Sequence, residues 1–298
     1  MDFQRIWLSV LCWSTLFLLP CAAQSADDAS PLQVRYYFGG TTPDYAVKLL
    51  KLALDKSQRA YELIEVQPQL TTSRIIKMVE DQDAVGPNIY WAAYSRELEQ
   101  RLAAIYFPID RGLISYRILV IEENTQHKLS RVHQLADLLK FSFVQGFEWS
   151  DTRFLRTYGM RVEEGLPQNL YPMLAHNRGD VFPRSILDVQ REFVVWGKNI
   201  PQLRIEKDIA LLYESFMVFF FVNKANAPLQ AAIDEGLKKA FDDGSFMQLF
   251  LQDSDVASAL KLLQEKRRVI RFPASRDNAI RDKIPSRYID QTIRQMGW

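Results

Sequence analysis

Cysteine is almost missing from this chain. The two that occur, Cys12 and Cys21, both fall in the first 23 residues, a segment that reads as an export signal. The rest of the chain then has no thiol, no disulfide and no cysteine-built metal site, and its stability has to come from its core. Histidine is nearly as scarce. His127, His133 and His176 are the only three, and none has ligand-like spacing with carboxylates, so no metal site is expected. An excess of one charge is lacking as well. Thirty-seven Lys and Arg stand against 36 Asp and Glu, for a net charge of +1, without the basic bias of nucleic-acid binders. No apolar run after the N-terminal segment reaches bilayer-spanning length. There is no Gly-x-Ser-x-Gly, no nucleophilic cysteine and no glycine-rich phosphate loop. The carboxylate pairs Glu97/Glu99 and Glu163/Glu164 fit solvated helix or strand faces better than acid–base pairs. Neither enzymatic activity nor a cofactor is expected, and no short-period repeat or low-complexity linker breaks the chain.

At the N-terminus, Arg5 precedes an uncharged, largely apolar run from Ile6 to Leu19, and Cys21-Ala22-Ala23 offers small residues for cleavage. This is the layout of a secretory signal over residues 1–23, too short to span a membrane comfortably. The remaining chain, about 275 residues, is long enough for one large or two medium domains.

Beyond it the hydrophobic pattern alternates. Leu32 to Phe38, Tyr61 to Val66 and Asn88 to Ala93 read as strands. Between them lie helical patterns, one opening near Thr41–Pro43 and one at Thr71 or Thr72, and a polar helix follows from Ser95. Strand, helix, strand at this spacing is the pattern of an open α/β sheet with ligand loops at the strand ends. The segment Pro108 to Ile121 leads into a second such series. Its central stretch is FSFVQGFEWSDTRFLR, Phe141 to Arg156. A short buried strand there ends at Gly146, and Ser150 or Asp151 is placed to cap the helix that follows. A strand running into a helix N-terminus leaves unpaired N–H groups pointing outward, suited to a polar or acidic ligand. Phe216 to Val222 is apolar enough for a fully buried strand. A helix with Leu229, Ile233, Leu237, Ala240 and Phe241 inward comes next and is stopped by Gly244.

The apolar strands at Tyr116 and Phe216 bracket one α/β unit. If both cross between lobes, they form a two-strand hinge with a cleft beside it. The predicted boundaries are 31–116 plus 217–298 for the first lobe and 117–216 for the second.

Three stretches carry a family resemblance: PIDRGLISYRILVI, HNRGDVFPRS and FFFVNKANAPLQAAIDEGLKKAFDDGSF. In this order the chain resembles the periplasmic solute-binding proteins of ABC transporters, the type II group that includes amino-acid-binding proteins. It is closest to a branch with a Gly-x-x-Trp-x-Asp-Thr turn (Gly146, Trp149, Asp151, Thr152) and a Phe-Pro-Arg (Phe182, Pro183, Arg184). The resemblance implies two open α/β sheets in two lobes, a small-molecule ligand, an inner-membrane ABC permease or a sensor as partner, a periplasmic location and a monomer. A cell-envelope enzyme on the same frame is the alternative of another class. Two departures bear on the ligand. The family's first-lobe Thr-x-x-Arg is replaced by Tyr94-Ser95-Arg96-Glu97-Leu98, with the arginine out of step. Arg184-Ser185 stands where amino-acid binders place an acid, so a polar or anionic solute is expected rather than a standard zwitterionic amino acid.

The candidate ligand residues follow from chemistry and place. Arg184, after a proline at a strand end, can grip a carboxylate or phosphate with two parallel hydrogen bonds, or form a salt bridge. Arg117 can reach the cleft or tie the lobes. Asp151 and Thr152 can meet the ligand or cap the helix. Trp149, Tyr37, Phe38, Trp91 and Phe182 can wall the site or pack the core.

Overall fold

The computed structural model describes residues 30–37, 44–66, 71–214, 216–274 and 280–296. The proposed signal segment lies outside the described residues. So do Phe38, Gly39-Gly40 and the helix start expected at Thr41–Pro43. Residues 31–298 form one unit with two sheets.

The chain opens with β1 (Leu32–Tyr36), α1 (Asp44–Ser57), β2 (Tyr61–Glu65), α2 (Thr72–Asp81), β3 (Ile89–Ala93), α3 (Arg96–Arg101) and β4 (Ala103–Ile105). Local chemistry sets the helix starts. Thr71 accepts from Arg74 N at 3.3 Å to cap α2, and Ser95 accepts from Leu98 N at 3.1 Å to cap α3. The chain then builds β5 (Tyr116–Glu122), α4 (Gln126–Leu129), β6 (Ser142–Gly146), α5 (Ser150–Thr157) and β7 (Arg161–Gly165). It continues with α6 (Leu170–Ala175), β8 (Val181–Ser185), α7 (Val189–Glu192), β9 (Leu203–Ile205) and β10 (Ile209–Tyr213). The last part holds β11 (Val218–Val222), α8 (Ala227–Asp242), α9 (Ser245–Gln252), α10 (Ser254–Leu263), β12 (Arg268–Phe272) and α11 (Gln291–Gln295).

The first sheet runs β2-β1-β3-β11-β4. β1 is parallel to β2 and β3, and β11 is antiparallel to both its neighbours. β11 is the phenylalanine-rich run read from sequence as a buried strand. It lies between β3 and β4 with every residue buried. The second sheet runs β12-β10-β5-β8-β6-β7, with β9 also on β5.

Two expectations are corrected, the α5 cap and the sheet of residues 268–272. Pro108–Ser115, ahead of the strand read at Tyr116, is a turn. Asp110 accepts from Gly112 N at 3.2 Å and Ile114 N at 2.7 Å, and the backbone passes through the left-handed region at Arg111 and Gly112, φ 55° and 82°. The α5 cap position belongs to Trp149, whose side chain makes no capping bond, and Ser150 and Asp151 lie in the first turn. Residues 268–272, assigned by pattern to the first lobe, pair over five residues in parallel with β10 of the second sheet. Burial decides this: Ile270 and Phe272 enter the cluster formed by Phe143, Leu155 and Tyr213. Among the described residues no helix is long and apolar enough to cross a membrane.

Under the first sheet α1 packs on α8 at close range. An added Cβ on Gly236 would sit 1.8 Å from the backbone oxygen of Ala53. Gly236→Ala is therefore expected to push the two helices apart and cost about 1–3 kcal/mol or more, read as a lower denaturation midpoint with unchanged m-value. A second outcome concerns pH. Burial raises the Asp110 carboxyl to about 6 against an ordinary 3.8, although its N–H bonds pull the other way. The folded chain thus holds this proton more tightly than the unfolded chain. Stability from this group is greatest at low pH and falls as pH rises through about 4 to 6, by at most about 3 kcal/mol. Asp110→Asn has no such proton to lose, so melting curves at pH 4 and pH 7 should show the variant gaining on the wild type as pH rises.

Candidate functional site

The carboxyl ends of β3 in the first sheet and of β6 and β8 in the second face a common cavity of about 470 Å³, the place where open α/β sheets hold ligands. The first sheet contributes the end of β3, with Trp91 and Ala93, and the start of α2, with Ser73 and Ile76. The second contributes Arg117 of β5, the turn Glu148–Asp151 after β6, Arg184 of β8 and Asp188. Ile114 and Phe216, from the segments joining the sheets, complete the wall.

Arg117 is 2% exposed, and its guanidinium lies over the rings of Tyr213, at 5.0 Å, and Phe216, at 4.7 Å. Its Nη2 is 3.0 Å from Oδ1 of Asp151. The pair is close enough for Coulomb attraction but not aligned as a hydrogen bond. Nε and Nη2 of Arg117 and Oδ1 of Asp151 all lack a hydrogen-bond partner among the described residues. Asp151, 7% exposed, sits in the first turn of α5, where the helix dipole favours a negative charge. Beneath them, burial and the nearby Asp151 charge push the Tyr213 hydroxyl well above the usual phenol range.

Arg184 is 8% exposed and stands over the rings of Trp149, at 4.8 Å, and Phe182, at 5.1 Å. The two donors that the sequence pattern assigns to a solute are already bonded. Nε donates to Oε2 of Glu192 and Nη2 to Oε1, each at 2.5 Å. Burial alone would lower the guanidinium pKa, but the charges of Glu192 and Asp188 override it and raise it. Asp188 in turn is raised, first by burial and then by Glu192, against the pull of Arg184 and Arg191.

Trp149 is half-buried on the cavity wall. Its ring lies against Gly146, where an added Cβ would be 2.3 Å from the indole. The glycine at the end of β6, where the sequence pattern ends the strand, makes room for a side chain. Glu148, at φ 61°, reaches across to α2, where Ser73 Oγ donates to its Oε2 at 3.2 Å. This contact joins the two sheet-bearing halves at the exposed edge of the cavity.

Of the nine residues singled out from sequence, Phe38 lies outside the described residues, and Trp91, Arg117, Trp149, Asp151 and Arg184 line the cavity. Thr152 is turned inward, its hydroxyl donating to Gly146 O at 3.0 Å, so it braces the turn. Phe182 is buried behind Arg184 and Trp149. Tyr37, half-buried after β1, is not among the described residues of the wall. Sequence reasoning missed Asp188 and Glu192. One signal for them was present: two acids four apart, on one helix face, directly after the Phe-Pro-Arg strand. Among the described residues no cluster of three or more His, Cys, Asp or Glu could hold a metal ion.

No protein-family model matches the sequence, and no curated protein does. Solved structures match over about three quarters of the chain. The probable amino-acid ABC transporter extracellular-binding protein ytmK from Bacillus subtilis is similar at TM-score 0.56 and 16% identity, over 76% of this chain and 99% of that one. The GluR0 ligand-binding core from Nostoc punctiforme, solved with L-glutamate, is similar at TM-score 0.53 and 16% identity, over 76% and 100%. A histidine kinase sensor domain with similarity to periplasmic binding proteins follows at TM-score 0.54 and 12% identity, over 75% and 96%. With two α/β sheets and a shared cavity at their strand ends, this chain has the two-lobe fold of the type II periplasmic binding proteins.

Proposed function

We propose that the protein is an exported solute-binding protein. It captures a small polar solute between its two halves and presents it to an ABC permease. The observation that carries this reading is the pair Arg117 and Asp151, desolvated at the cavity wall with Nε, Nη2 and Oδ1 unbonded. Leaving such a group unsatisfied costs about 1–3 kcal/mol, more for charged groups, and a solute offering both an acceptor and a donor recovers that cost. Trp91 and Trp149 give the same solute flat apolar surface.

The wall carries four arginines (101, 117, 153, 184) and four carboxylates (Glu97, Glu148, Asp151, Asp188). That balance favours a polar solute of little net charge over an anion, and narrows the expectation drawn from Arg184. Closure of the halves completes contacts that the open form lacks, so binding shifts the equilibrium by its differential affinity. Residues 1–23 serve in this reading as the export signal, the protein acts as a periplasmic monomer, and no catalytic step is assigned. The similarity to a histidine kinase sensor domain supports a second reading, in which the loaded form engages a membrane signalling protein. Solute-dependent stimulation of a co-expressed kinase, against uptake by a co-expressed permease, separates the two.

A metabolite panel screened by thermal melt should contain one class that stabilises the protein, by about 2.7 kcal/mol at a hundredfold excess over Kd. Arg117→Met should abolish that shift. A shift that survives in Arg117→Met would place the solute elsewhere. Gly146→Ala should displace the Trp149 ring and weaken the same solute about tenfold, or roughly 1.4 kcal/mol, with far-UV circular dichroism unchanged. Unaltered affinity in a folded variant would remove Trp149 from the site.

A further inference from the structure

We propose that Glu192 is a resident counter-ion of the cleft and the residue that makes it select against anions. This rests on the solute-binding reading above and refines it.

Arg184 has the makings of an anion receptor. It is nine-tenths buried, it lines the cavity, and aromatic rings stand beside its plane at 4.8 and 5.1 Å. An arginine so packed is held in one orientation, and its Nε–Nη2 edge matches a carboxylate. In this protein the edge is spanned by Glu192, both oxygens at 2.5 Å.

The neighbouring contacts hold Glu192 in place. It is the last residue of α7, and that helix is anchored one residue earlier by Arg191. Arg191 donates to Asp188 Oδ1 and to Asp255 Oδ2 of α10, each at 2.8 Å. A carboxylate fixed on the same chain competes at high effective concentration, so a solute anion would have to displace it. That anion would also meet Asp188, on the cavity wall four residues before Glu192. Arg184 therefore contributes a neutralised, stackable surface, and recognition by unbonded donors falls to Arg117. Glu192→Gln keeps the shape and removes the competing charge, which turns Arg184 into an open anion site.

The test uses succinate and inorganic phosphate as probes, followed by calorimetry and melting temperature on the purified protein. Wild type and Glu192→Asp should bind both anions weakly. Glu192→Gln should bind them at least about tenfold tighter, and Arg184→Gln/Glu192→Gln should lose the gain. Wild type binding succinate as tightly as Glu192→Gln overturns the proposal, as does a gain that persists in the double variant. Arg184→Gln gives a reciprocal measure should Glu192→Gln fail to fold. It leaves Glu192 without its arginine, four residues from Asp188 on the cavity wall, and should bind the diamine putrescine about tenfold tighter than wild type; no gain there overturns the proposal. Failure of the solute-binding reading is read separately, from the metabolite panel and Arg117→Met, because the succinate comparison does not require the natural solute.

Discussion

A guanidinium taken out of water in the middle of a sheet constrains the rest of this structure. Arg117 lies on β5, between β10 and β8, and is almost wholly buried. Removing such an ion from water costs several kcal/mol, so its surroundings must offset that. Asp151 supplies the opposite charge at 3.0 Å, and the rings of Tyr213 and Phe216 supply their π faces. For Asp151 to be there, α5 has to begin directly after β6, with a turn tight enough that Thr152 bonds back to Gly146 O. That turn in turn places Trp149 on the cavity wall. One buried charge therefore ties together the positions of Asp151, Thr152 and Trp149.

The same balance recurs through the second half of the molecule. Arg184 is matched by Glu192, and Arg191 by Asp188 and Asp255. Glu206, fully buried, accepts from the N–H groups of Asp208 and Ile209 and from Gln126 at 2.8 Å each. Compensated charges of this kind add little net stability but cost a great deal when one partner is removed. They make the cavity wall rigid. The first half is built differently, from apolar packing of β11 and the close contact of α1 with α8. A stiff polar wall suits a site that has to present fixed hydrogen-bonding groups to a small molecule.

What the sequence revealed and what it hid follow from the range of the interactions involved. Hydrophobic period and capping residues are local, so β1 to β3, α2, α3, α5 and α8 could be read within a few positions. Trp91, Arg117, Trp149, Asp151 and Arg184 reach the cavity because each stands at or near a strand end or a helix start, which the pattern marks. The partner of Arg184 depends on how α7 docks under β8, and no local period encodes that. The same holds for β12. Its five residues lie 55 positions or more beyond the strand they pair with, and only the burial of Ile270 and Phe272 against the second core decides their sheet. Asp151 and Thr152 looked equivalent in sequence. The helical rotation between them turns one to the cavity and the other to the backbone of the preceding strand.

The contact between Ser73 and Glu148 bears on how such a cleft could work. Both side chains are exposed, so their hydrogen bond contributes at most about 1 kcal/mol. Glu148 adopts φ 61° to make it, and a left-handed backbone at a non-glycine residue costs about 1–2 kcal/mol. The two roughly cancel. A bridge with no net gain cannot hold the halves together by itself, and it cannot keep them apart either. More free energy resides in the unbonded atoms of Arg117 and Asp151, which bulk solvent reaches poorly and which the proposed solute would satisfy. In the proposed reading the solute decides which form prevails, and the edge contact sets only where the halves meet.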